Sequence, residues 1–189
     1  MSGDTPNASM PDISYDMREF IMLLHEHAVR FALCGGFAVA YHGFVRTTMD
    51  IDILIYPSAE NADRLMRALD AFGFGQAGLS RETFERPGAV VTLGAQPNQI
   101  DLLTSMSSET PDAVFDDVRT AAMWGLDIPV VSRQALMRAK AESDRPKDRI
   151  DLDELQRITA DEMSGMFAFG ASPGIVKRSL SELDTERGR

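Results

Sequence analysis

Asp50 and Asp52 sit two residues apart in the run MDIDILI over 49–55. On a β-strand that spacing projects both carboxylates from one face and Ile51, Ile53 and Ile55 from the other. The arrangement is costly: Asp is depleted in strands, and two like charges about 4 Å apart repel by roughly 4 kcal/mol at an effective dielectric of 20. A divalent cation removes that cost. Hard cations such as Mg²⁺ take oxygen ligands, often one or two carboxylates together with substrate phosphates. A bare Asp-x-Asp is short and common, and alone it reads first as a turn residue followed by a solvated acid.

Its neighbours change that balance. Gly35-Gly36 falls between a short apolar run, Phe31 to Cys34, and a segment with helical spacing. Small residues there let backbone N–H groups and a helix start approach an anion such as a nucleotide phosphate, although a Gly pair alone means only a tight turn. Asp101, in QIDLL over 99–103, is an isolated acid between apolar residues on a second predicted strand. If the two strands adjoin, it completes a cluster of three carboxylates.

The order strand, Gly-Gly, helix, Arg-x-Thr-x-Asp-Ile-Asp and later a lone strand Asp resembles the nucleotidyltransferase fold of polymerase-beta-like enzymes, and within it the small bacterial branch of AbiEii/MenT-type toxins. The resemblance covers roughly residues 30 to 158. It implies that Gly35 and Gly36 contact the nucleotide, that Asp50 and Asp52 bind Mg²⁺, as one or two ions, and that Asp101 assists the metal or activates the acceptor. It further implies an NTP substrate such as ATP and, among partners, an antitoxin or a second copy of the chain.

Arg46, Thr47 and Thr48 form the Arg-x-Thr portion, and a salt-bridged turn and a phosphate contact by Arg46 and Thr48 are weighed equally. Residues 133–149 hold six basic side chains against three acidic ones, a local +3 in a chain of net charge −10. LMRAKAESDRPKDRIDLDEL resembles the family's later motif, a helix Lys followed by Lys/Arg-Asp-x-x-Asp, with Lys140, Lys147, Asp148 and Asp151 in those places. Lys140 is read as a catalytic candidate. For the others the plainer reading is kept: Asp148 caps the next helix, Asp151 favours its positive end and Lys147 is solvated.

The elements that must position these groups follow from periodicity. Amphipathic helices are predicted over 15–29 and 61–72, the second capped by Ser58 and stopped by Gly73, with one or two helical turns over 37–42. Strands are predicted over 31–34 and 49–55, a hairpin over 90–93 and 99–103, and a strand over 128–131. A helix capped by Ser132 runs to about 142, Pro146 breaks it, and another starts near 148; residues 73–88 read as loop. The result is an α/β (α+β) domain, a nucleotidyltransferase-like short mixed sheet flanked by helices, over 14–160. Residues 1–13 read as a disordered lead-in and 161–189 as a weakly structured tail.

Composition limits the rest. With 29 acidic against 19 basic residues, broad DNA binding is disfavoured. Cys34 is the single cysteine, so no intramolecular disulfide forms, and the three histidines lack a zinc spacing. No apolar run reaches about 18 residues and the start lacks a signal peptide's regions, so a cytoplasmic protein without a membrane span is expected. These features together predict Mg²⁺-dependent transfer of an NMP from an NTP to a hydroxyl on RNA, a protein or a small molecule. The alternative is a non-catalytic nucleotide- or metal-binding module or regulatory partner.

Overall fold

The computed structural model describes residues 10–170, with side chains to 162. In chain order the elements are α1 (Tyr15–Glu26), β1 (Phe31–Cys34), α2 (Gly35–Tyr41), β2 (Asp50–Ile55), α3 (Ala59–Leu69), β3 (Val90–Leu93), β4 (Gln99–Leu103), α4 (Pro111–Asp116), β5 (Arg119–Met123), β6 (Leu126–Val130), α5 (Arg133–Ala141) and α6 (Pro146–Gly170). Four helices start by the same chemistry. Ser14, Ser58, Thr110 and Ser132 each accept, through the side-chain hydroxyl, the N–H three residues on, satisfying a donor the helix leaves open. Gly73, at φ 98°, closes the turn that follows α3, a conformation other residues avoid.

The strands form one mixed sheet in the order β3-β4-β2-β1-β6-β5. β2 runs antiparallel to β1 and parallel to β4, and β1 runs parallel to β6. Register decides what this topology does. Ile51 pairs with Ile100 and Ile53 with Leu102, and all four are buried in the hydrophobic core. The residues between them, Asp52 and Asp101, are also paired and lie on the other face. Asn61, itself buried, accepts from the Arg30 N–H and donates to the carbonyls of Arg30 and Tyr56. That amide ties the entry of β1 to the exit of β2, and so fixes the two central strands at the end remote from the carboxylates.

Several elements differ from expectation. The stretch 73–88 is not all loop: a helical turn spans Arg81–Phe84 and inserts Phe84 fully into the core. α4 and β5 were not predicted, because α4 has six residues and β5, RTAAM, is an edge strand with three exposed positions. α6 starts at Pro146, so Asp148 lies inside its first turn and not at its cap, and the helix continues to Gly170, ten residues into the stretch read as tail. Within the lead-in, Met10 and Ile13 pack on the core, and the Trp124 indole donates to the Pro11 carbonyl at 3.0 Å. Residues 1–9 and 171–189 lie outside the described residues. Among the described residues no helix is long and apolar enough to cross a membrane.

Candidate active site

Asp50, Asp52 and Asp101 occupy one sheet face, Asp50 at the start of β2 and Asp52 two residues on, paired with Asp101 at the middle of β4. Asp52 lies between Cys34 on β1 and Asp101 on β4 in register. Thr48 donates to the Asp50 carboxylate at 3.0 Å, and Thr92 and the Gln99 amide donate to Asp101 at 2.6 and 2.9 Å. Burial pushes the Asp52 carboxyl up to about 6, and the charges of Asp50 and Asp101 push it the same way, against the Gly36 N–H and Lys140. Among the described residues no Lys or Arg forms an ion pair with any of the three carboxylates.

A group of hard oxygen donors whose central member resists ionisation, with no cationic side chain in contact, fits a divalent cation in its chemistry. The carboxylates are not gathered into a finished cage: among the described residues no three His, Cys, Asp or Glu side chains stand ready to hold a metal ion together.

Gly35 and Gly36 open α2 beside these acids. A Cβ on Gly35 would lie 1.8 Å from Asp52 Oδ2, and the residue has φ +59°. A Cβ on Gly36 would lie 2.7 Å from the Thr48 hydroxyl. The pair is therefore required to let the strand carboxylate and its threonine neighbour approach the backbone, beyond any phosphate it accommodates. Gly35→Ala is expected to displace Asp52 and destabilise the fold by about 1–3 kcal/mol. Thermal unfolding checks it, and an unchanged midpoint would show that Gly35 is not needed for this packing.

Lys140, Asp148 and Asp151 form a second, buried group. Lys140 is 6% exposed and both aspartates are fully buried. The Lys140 ammonium pairs with Asp148 and, at 2.9 Å, with Asp151. Ser143 and Arg145 both donate to Asp148 at 2.6 Å. Arg46 reaches from the loop before β2 and holds Asp151 at two points, Nε to Oδ1 at 2.7 Å and Nη2 to Oδ2 at 2.9 Å. Burial raises the pKa of both carboxyls, but the bonds from Lys140, Ser143 and Arg145 outweigh it and bring Asp148 down to about 2, while Arg46 and Lys140 lower Asp151.

The plainer reading, Asp148 as the cap of α6 and Asp151 as an acid favouring its positive end, is thus corrected to a buried ion-pair group; Arg46 forms the salt bridge that is one of its two readings, and Thr48 donates to Asp50. Their spacing, i and i+3 on one helix face, was the available signal. The partner Arg46, 105 positions from Asp151, had no local one.

A cavity of about 340 Å³ joins the two groups. Gly35, Asp52 and Cys34 form one side, Leu103, Ser105 and Met106 another, and Leu136, Ala139, Lys140, Glu142, Ser143, Arg145 and Asp148 close it. Asp52 lines it directly, while Asp50 and Asp101 flank it on the same sheet face. Its size is at the lower end of small-molecule pockets, about 300–1,000 Å³. Ser108 donates through N–H and hydroxyl to Glu142, both at 2.7 Å, fastening the loop after β4 to the end of α5. Cys34 is buried, and burial, followed by the Asp52 charge, pushes its thiol well above the ordinary range. It is accordingly expected to resist thiol reagents until the protein unfolds, which a thiol titration with and without denaturant checks.

The chain belongs to the family described as nucleotidyl transferase AbiEii toxin, type IV TA system, whose model matches residues 20–171. No curated protein matches it. Similar solved structures include the lincosamide antibiotic adenylyltransferase LnuA bound to lincomycin, at 16% identity and TM-score 0.47, covering 78% of this chain and 99% of that one. ANT(2'')-Ia in complex with adenylyl-2''-tobramycin has 14% identity and TM-score 0.46, over 79% and 96% of the two chains. An antigenic nucleotidyltransferase-like protein from Paracoccidioides brasiliensis has 13% identity and TM-score 0.45, over 77% of each chain. The assignment rests on the family match.

Proposed function

We propose that the protein transfers a nucleoside monophosphate from an NTP to an acceptor hydroxyl, with Mg²⁺ held by Asp50, Asp52 and Asp101. The observation that carries this reading is the register pairing of Asp52 with Asp101 beside Asp50, on one sheet face, with Asp52 lining a cavity of about 340 Å³. The bound cation would neutralise triphosphate charge and acidify the attacking hydroxyl. Gly35 and Gly36 present the start of α2 to the phosphates, and Lys140 meets them from the opposite wall. Asp101, outermost of the paired acids, takes the acceptor's proton as its oxygen bonds the α-phosphorus in line and the bond to the β-phosphate oxygen breaks, releasing pyrophosphate. The acceptor is RNA, a protein or a small hydroxylated molecule. The family description supports a toxin role, and with it an antitoxin as partner.

NTP binding tests the site without knowledge of the acceptor. At 100 times Kd a ligand stabilises by about 2.7 kcal/mol, a rise in Tm of roughly 5–10 °C for a chain of this size. That rise is expected with NTP and Mg²⁺ together, and is expected to be lost in Asp101→Asn. A rise equal in both proteins would remove Asp101 from the site.

A further inference from the structure

Arg46 joins two parts of the molecule that the reaction needs in one place. It stands in the loop leading to Asp50, its Nη1 donates to the Thr47 carbonyl at 3.2 Å, and the same nitrogen passes within 3.4 Å of where a Cβ on Gly36 would sit. Its fork holds Asp151 on α6, which is also a partner of Lys140 on α5. The group contains three cations, Lys140, Arg46 and Arg145, that share two fully buried carboxylates, Asp148 and Asp151. Without Arg46, Lys140 would face Asp148 and Asp151 with only Arg145, on Asp148, to share them, and Asp151 would draw on Lys140 alone.

We propose that Arg46 is a positioning residue for Lys140: by taking Asp151 at two points it keeps the Lys140 ammonium at the cavity wall, available to the triphosphate, and locks the Asp50 loop to α6. This rests on the nucleotidyl-transfer reading, since it assigns the phosphate end of the NTP to Lys140. An arginine is needed because a lysine has the charge but not the fork that matches a carboxylate.

The probe is inorganic tripolyphosphate, titrated without metal into the folded proteins well below their Tm, with NTP as a second ligand. Arg46→Ala is expected to weaken tripolyphosphate binding at least tenfold, with binding restored towards the parent value by millimolar guanidinium ion, which can reoccupy the space against Asp151. A purely structural role would lower Tm without moving the affinity of the remaining folded protein, and would gain nothing specific from guanidinium. Arg46→Lys, which keeps charge and bulk should the alanine variant fail to fold, is expected to bind at least threefold more weakly than the parent. Parent-like affinity in Arg46→Lys, or in folded Arg46→Ala, overturns the proposal while leaving the transfer reading intact. A parent protein that binds neither tripolyphosphate nor NTP with Mg²⁺ overturns both.

Discussion

Asp52→Asn is expected to reduce transfer by about 10²–10³ while leaving the cation-free protein as stable as the parent, or more stable, at neutral pH. The two effects have one cause. Asp52 is wedged between the start of α2 and two other acids, and its carboxyl stands at about 6 against an ordinary 3.8. A group whose pKa is raised on folding stabilises the fold fully below its unfolded value and loses that contribution as pH rises through the folded one. Parent stability in the presence of a chelator should therefore fall between about pH 4 and pH 6, by roughly 2–3 kcal/mol. Asparagine carries no charge to desolvate, and this part of the pH dependence should be absent from the variant. Thermal unfolding of both proteins across that window decides it. Identical pH dependence would mean that Asp52 is not the strained acid the structure describes.

The opposite outcome is expected at the second charge group. Lys140→Met leaves Asp148 and Asp151 buried with fewer partners, and breaking a buried pair by removing one member costs about 3–5 kcal/mol. For a chain of this length that is a fall in Tm of roughly 6–20 °C. Exposed Lys147 on α6 is the control, since a surface substitution there stays within about 0.5 kcal/mol. Asp148, held at about 2, stabilises the parent above its ordinary pKa of 3.8, and that contribution is lost as pH falls towards 2. The gap between parent and Lys140→Met should accordingly narrow in acid. Equal Tm values for the Lys140 and Lys147 variants would contradict the buried network.

What could be read from the sequence divides along a physical line. The Asp50–Asp52 face, the lone Asp101, the hairpin around it and the Ser58 and Ser132 caps are local patterns, governed by strand alternation and by hydroxyls meeting N–H groups three residues away. Each is present in the structure. The environment of Asp148 and Asp151 depends instead on Arg46 and Lys140, brought in by the packing of α5, α6 and the loop before β2, and no local rule separates a helix-start acid in water from one in a buried ion pair. Phe84 was missed for a related reason: one aromatic within a polar stretch has no periodicity, yet it fills the core. β5 owes its strand state to pairing with β6 and not to its own composition.

Nucleotidyl transfer is tested by incubation with each of the four NTPs labelled at the α-phosphate, in the presence of Mg²⁺ and of total RNA, protein extract or hydroxylated small molecules. The parent protein is expected to transfer label covalently to one acceptor class and to release pyrophosphate, and both are expected to be lost in chelator and in Asp52→Asn. Label that joins no acceptor with any NTP, or that transfers equally well in Asp52→Asn, would show that this carboxylate site does not perform nucleotidyl transfer.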